Sequence, residues 1–148
     1  MNQLYHVDSS VLLADMFGEF DASKLWQLSD NKRKFVVVFT SVVMGEVIKV
    51  LTQSPPERMK LGFDYLYHLL DWYSLEMYTP PQRVLALVHE LQEVDSRLML
   101  MDALILASAI CHHAAKFITL DNDFTQDELR SYARRTYQMI IQYPGDSL

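Results

Sequence analysis

The chain has 148 residues, half of them apolar and 22% charged, a composition that suits one globular domain spanning 1–148 with enough length to bury a substantial core. A net charge of −6 argues against broad, non-specific attraction to nucleic acid, while leaving room for a local basic patch or an acidic site that binds cations. No uninterrupted apolar run reaches the roughly 18 residues of a membrane span, the opening MNQLYHVDSS lacks the pattern of a signal peptide, and Cys111 has no second cysteine to pair with, so a soluble, cytoplasmic protein is expected.

Leu4 to Val7 is a short β-prone run ending in Asp8-Ser9-Ser10, with a helical pattern behind it from Val11. Asp8 falls at the carboxyl end of that strand, and Ser9 or Ser10 is available as the helix N-cap. Gly18 ends the helix. Asp21 to Leu28 predicts a second amphipathic helix, closed by the polar and basic tetrad Asn31-Lys32-Arg33-Lys34. Phe35 to Phe39 is β-branched and apolar on both faces, which is how a central parallel strand reads. Thr40 or Ser41 then caps a helix from Val42 to Thr52.

Ser54-Pro55-Pro56 is a loop leading to a long helix from Glu57 to about Tyr73. Its stripe of Phe63, Tyr67 and Leu70 reads as core or subunit interface. Leu75 to Tyr78 is a third strand, Gln82 to Val94 a helix with Pro80-Pro81 at its start, and Met99 to His113 a strongly apolar helix carrying Cys111 as a buried hydrophobe. Phe117 to Leu120 is a fourth strand, ending at Asp121-Asn122-Asp123. Arg130, Arg134 and Arg135 lie on a final helical or loop segment, and Gln138 to Gln142 is a last, edge strand. Strands alternating with helices predict an α/β fold, with three α/β/α layers around a mostly parallel sheet of four to five strands.

Two acids are out of place in this pattern. Glu46 lies among Val42, Val43, Met44, Val47, Ile48, Val50 and Leu51, and Asp102 interrupts the apolar helix-and-strand run from Leu98 to Phe124. Burying an unpaired carboxylate costs several kcal/mol, so both need something positive nearby. In an open parallel sheet the ligand site lies beyond the carboxyl ends of the strands. Asp8 and Asp121 fall at such ends, Glu46 on the helix leaving the second strand, and Asp102 near the start of the helix entering the fourth. Each has an ordinary structural role as well: Asp8 as a cap, Glu46 as a partner for lysine, Asp102 at a helix dipole, Asp121 in a turn. Their joint placement at one edge is what favours function.

Crowded carboxylates either raise a pKa or recruit a cation. Oxygen donors without Cys or His select hard ions, Mg²⁺ or Mn²⁺, and such an ion acidifies water and neutralises phosphate charge, which suits phosphodiester hydrolysis. Ser9, Ser10, Thr119 and Asn122 are placed to orient the acids or their waters.

The stretches Val7-Asp8-Ser9-Ser10, Thr40 to Glu46, Met101-Asp102-Ala103-Leu104 and Thr119-Leu120-Asp121-Asn122-Asp123-Phe124 together resemble the PIN-domain ribonucleases, in particular the VapC-type toxins of prokaryotic toxin–antitoxin pairs. The resemblance runs over essentially the whole chain. It implies a metal-dependent endoribonuclease with Asp8, Glu46, Asp102 and Asp121 as its acids and Asp123 as an additional ligand, leaving a 3′-hydroxyl and a 5′-phosphate. It implies a homodimer too, inhibited by a small antitoxin. RNA would meet local patches: Lys32-Arg33-Lys34, Lys49, and Arg130, Arg134 and Arg135.

Rival chemistries lack their residues. A dehalogenase-like phosphatase needs a second acid two positions after the first, where Ser10 stands. A receiver domain needs an early acidic pair, zinc chemistry needs histidines sharing a face where His112 and His113 are adjacent, and no glycine-rich phosphate loop occurs. The alternative that remains is a PIN-like module that binds RNA or protein without cutting it.

Overall fold

Short apolar runs supply the strands and the amphipathic stretches between them the helices. The computed structural model describes residues 3–30, 35–73 and 75–146. In chain order the elements are β1 (Gln3–Val7), α1 (Ser9–Met16), α2 (Ser23–Asp30), β2 (Phe35–Thr40), α3 (Ser41–Thr52), α4 (Pro56–Trp72), β3 (Glu76–Tyr78), α5 (Val84–Val94), α6 (Leu100–Cys111) and β4 (Lys116–Ile118). A single 3₁₀ turn at Asn122–Phe124, α7 (Asp127–Tyr137) and β5 (Ile140–Gln142) complete the chain.

The strands form one sheet in the order β3-β2-β1-β4-β5, with every pairing parallel and β5 at an edge. The chain moves from β1 out to β2 and β3, then returns across β1 to β4 and β5. Right-handed crossovers therefore put α1 to α4 on one face and α5 to α7 on the other. The packing agrees: α1, α3 and α4 touch one another, as α5 touches α6 and α7. Strand order reverses between β1 and β4, the place where such sheets open a crevice at their carboxyl ends. Asp8 immediately follows β1 there, and Thr119 immediately follows β4.

Burial explains the sequence pattern. Val37 to Thr40 of β2 and Ile105 to Cys111 of α6 are buried without a break, because each is covered on more than one side. Cys111 is buried as expected. Helix α4 comes so close to α3 at Gly62 that an added Cβ would stand 2.2 Å from Leu51 Cδ2. Asp15 ties three helices together: its carboxylate accepts from the Ala22 N–H at 3.0 Å, Trp26 Nε1 at 2.8 Å and the Tyr65 hydroxyl at 2.5 Å. Among the described residues no helix is long and apolar enough to cross a membrane.

Several boundaries differ from expectation. The α1 N-cap is Asp8, not Ser9 or Ser10, since both serines are already helical and turn their hydroxyls to carboxylates, Ser9 to Glu46 and Ser10 to Asp8. Helix α2 starts at Ser23 after an Asp21 turn. Helix α5 starts at Val84, two residues late, because Pro81 to Arg83 form a turn. Strand β5 starts at Ile140, since Gln138 is a left-handed helix cap with φ of 58°. Of the aromatic stripe, Phe63 and Leu70 pack against the core while Tyr67 is 65% exposed.

Candidate metal centre

Parallel pairing of β1 with β4 continues one step past the strands, where the Asp8 N–H donates to the Ile118 carbonyl at 3.0 Å. That contact draws Asp8 and Thr119 together. Asp8 is 2% exposed, and its Oδ2 accepts from Ser10 Oγ at 2.8 Å and from Thr119 Oγ1 at 3.0 Å. Burial pushes its pKa up, the hydrogen bonds pull it back, and the charge of Asp121 pushes it up again. The two hydroxyls are themselves fixed: Ser10 Oγ accepts from the Leu120 N–H at 3.0 Å and Thr119 Oγ1 from the Asp121 N–H at 2.9 Å.

Asp121 caps the 3₁₀ turn, its Oδ1 accepting from the Asp123 N–H at 2.9 Å. That turn swings Asp123 back toward α6, where half-buried Asp102 sits in the first turn. Ligand atoms of Asp102, Asp121 and Asp123 all lie within 4.8 Å of one another. Burial first, then the charges of Asp121, Asp8, Glu46 and Asp123, push the Asp102 pKa up to about 6. Glu46, on α3, accepts from Ser9 Oγ at 3.0 Å. Burial raises its pKa and the Ser9 bond opposes this; Asp8 and Asp121 raise it further, while Lys49 lowers it.

The acids expected from the sequence thus converge. The tightest set is Asp102 with Asp121 and Asp123, so Asp123, expected only as an additional ligand, stands among the three nearest donors. Asp8 and Glu46 act on that set through charge. An oxygen-only set of this kind, crowded enough to push the Asp102 pKa up to about 6, fits a hard divalent ion. Among the described residues the ion pairs, His89 with Glu93 and Arg97 with Asp95, do not include these acids.

Ser9 donates to Glu46, and Ser10 and Thr119 donate to Asp8, so each touches an acid of the group. Asn122 does not: its Oδ1 accepts from the Tyr143 hydroxyl at 2.9 Å, because the 3₁₀ turn points it at the C-terminal segment. Lys49 lies in a groove of about 560 Å³ that also holds Ser9, Glu46 and Met101. Arg130, Arg134 and Arg135 belong to α7, where Arg130 and Arg134 border a cavity with Ile140 and Ile141 of the edge strand rather than the acids. Lys32, Arg33 and Lys34 lie outside the described residues. His112 bonds His6 and the Thr79 carbonyl, each at 3.2 Å, away from the carboxylates. Sequence reasoning passed over Asp95 and Arg97, which border Asp123; an Asp-x-Arg turn is too common a pattern to attract notice.

A family model for the PIN domain matches residues 5–128. No curated protein matches the chain by sequence. Among solved structures the chain is similar to VapBC2 from Rickettsia felis, bound to a DNA fragment from its promoter, with 17% identity, a TM-score of 0.71, and coverage of 95% of this chain and 98% of that one. VapBC-1 from nontypeable Haemophilus influenzae is similar at 13% identity and a TM-score of 0.70, covering 97% and 100%. VapC20 from Mycobacterium tuberculosis, a toxin that cleaves the sarcin-ricin loop, is similar at 15% identity and a TM-score of 0.61, covering 82% and 92%.

Proposed function

The chain belongs to the PIN domain family, and from that premise we propose that it is a Mg²⁺- or Mn²⁺-dependent endoribonuclease, hydrolysing RNA phosphodiester bonds as the toxin of a toxin–antitoxin pair. The observation that carries the reading is the approach of Asp102, Asp121 and Asp123 to within 4.8 Å of one another, with Asp8 and Glu46 adding charge. A module with no use for a cation would carry that repulsion at a loss of stability. Similarity in fold to VapBC toxin–antitoxin proteins supports the toxin assignment and an antitoxin partner, and the proposal takes the protein to act as a homodimer.

Asp102, Asp121 and Asp123 would hold the ion, with Asp8 as a further ligand. Bound there, Mg²⁺ or Mn²⁺ neutralises phosphate charge and acidifies a water. Ser10 and Thr119 keep the Asp8 carboxylate in one orientation, since both donate to the same oxygen. Ser9 occupies Glu46 Oε1, which leaves Oε2 to take the proton of the attacking water, and the raised pKa of Glu46 suits that task. Attack in line on phosphorus would form the new P–O bond of a 5′-phosphate as the bond to the 3′-oxygen breaks, and that oxygen would take a proton from solvent to leave as a 3′-hydroxyl.

The first test is the thermal midpoint of the wild type and of Asp8→Asn with and without millimolar Mn²⁺, followed by RNA cleavage on the same samples. A Mn²⁺-dependent rise that the variant loses, with cleavage following it, is the expected result. No rise and no cleavage would turn the assignment to a silent binding module.

A further inference from the structure

The loop between α5 and α6 carries a fixed cation beside the acidic centre. Asp95 is 5% exposed, and its Oδ1 accepts from both the Arg97 N–H and Arg97 Nε, each at 3.1 Å. The guanidinium is thereby anchored through Nε, and among the described residues neither Nη group donates to the protein. The Arg97 side chain remains 69% exposed. It walls a small cavity of about 60 Å³ together with Asp95, Asp123 and Gln126.

Asp123 is one of the three nearest donors of the centre. Arg97 borders Asp123 at the edge of that centre. Its own charge is secured first by Asp95, then by Glu128 and Asp123. A guanidinium held at Nε presents two parallel N–H donors, the fork that matches a phosphate. Anchoring also reduces the side-chain entropy lost on binding. In a chain of net charge −6, such a fixed cation beside the acids gives a polyanion a local point of attachment.

We propose that Arg97 is a phosphate-positioning residue: its Nη pair takes the non-bridging oxygens of a backbone phosphate neighbouring the one held at Asp102, Asp121 and Asp123. The ligand is single-stranded RNA backbone, gripped by charge without regard to base. This rests on the nuclease reading above and adds to it a second contact along the strand.

The test uses the full chain with Mn²⁺ and a fluorescein-labelled, random-sequence 20-nucleotide RNA, bound by the Glu46→Gln protein, which keeps the acids that hold the ion but lacks the proton acceptor so that the strand stays whole, with cleavage of the same RNA followed in the Glu46-containing proteins. Arg97→Ala should weaken binding roughly 10- to 100-fold and lower the slope of log K against log salt by about 0.7, one single-strand phosphate contact. Arg97→Lys should restore the slope and only part of the affinity, since it keeps the charge and loses the fork. In the Glu46-containing protein, Arg97→Ala should raise KM, and the Mn²⁺-induced thermal shift should be unchanged. RNA binding and salt slope unaltered by Arg97→Ala, with cleavage intact, would overturn this inference and leave the nuclease standing. Loss of the Mn²⁺ shift in Arg97→Ala would overturn it too, by making Arg97 a support of the metal site. A wild type that neither shifts with Mn²⁺ nor cleaves would overturn the nuclease reading, and this inference with it.

Discussion

Thr119 Oγ1 donates to Asp8 Oδ2 at 3.0 Å across 111 positions of sequence, and neither residue is more than 2% exposed. The same hydroxyl accepts from the Asp121 N–H, so one side chain couples a buried acid to the turn that aims the next one. Thr119→Val keeps the shape and removes these two bonds together with the 3.3 Å contact to Ser10 Oγ. It should cost about 1–3 kcal/mol of stability and weaken Mn²⁺ binding, read by thermal unfolding and by titration of the thermal shift. Unchanged Mn²⁺ affinity would show that Asp8 needs no such support.

Asp102→Asn should abolish cleavage and the Mn²⁺-dependent thermal rise, while leaving the metal-free protein as stable as the wild type or more so, because a repelled charge is gone. The sign with pH follows. With a folded pKa of about 6 against an ordinary 3.8, the folded state keeps the proton that the unfolded state has lost. Metal-free stability from this group therefore falls as pH rises between those values and levels off above them. Unfolding of both proteins across that range checks it, since the Asn variant should lack this component.

His6 works in the opposite direction. Burial, and then His112, lowers its pKa from 6.5 to about 3. Below 6.5 the unfolded chain takes a proton the folded one refuses, so stability is full above that value and is lost as pH falls toward about 3. His6→Phe should flatten that acid limb relative to the wild type. The check is the slope of unfolding free energy from denaturant titrations between those pH values; an identical slope in the variant would mean His6 is protonated in the fold.

Asp15 supports the fold alone. Asp15→Ala strands the hydrogen-bond donors of Tyr65, Trp26 and Ala22, and should cost about 2–4 kcal/mol, somewhat more than one buried unsatisfied group. The midpoint of chemical denaturation should drop, while the Mn²⁺-induced shift of the folded protein persists. A variant that unfolds normally yet no longer responds to Mn²⁺ would tie the helix junction to the site.

By itself the sequence determined the alternation of strands and helices, and it singled out acids that the fold draws toward one another. Val36-Val37-Val38 could only be a strand covered on both faces, and Asp102 in an apolar helix already implied a cation, because periodicity and desolvation are local properties of a chain. Distances between segments are not local. The order β3-β2-β1-β4-β5 brings Asp8 beside Thr119, and the 3₁₀ turn brings Asp123 to Asp102 while sending Asn122 to Tyr143. Those turns depend on which backbone groups the fold leaves unpaired. Arg97 was equally invisible: only tertiary packing sets the Asp95-anchored guanidinium against Asp123, since the charge that recruits a cation comes from a part of the chain it does not adjoin.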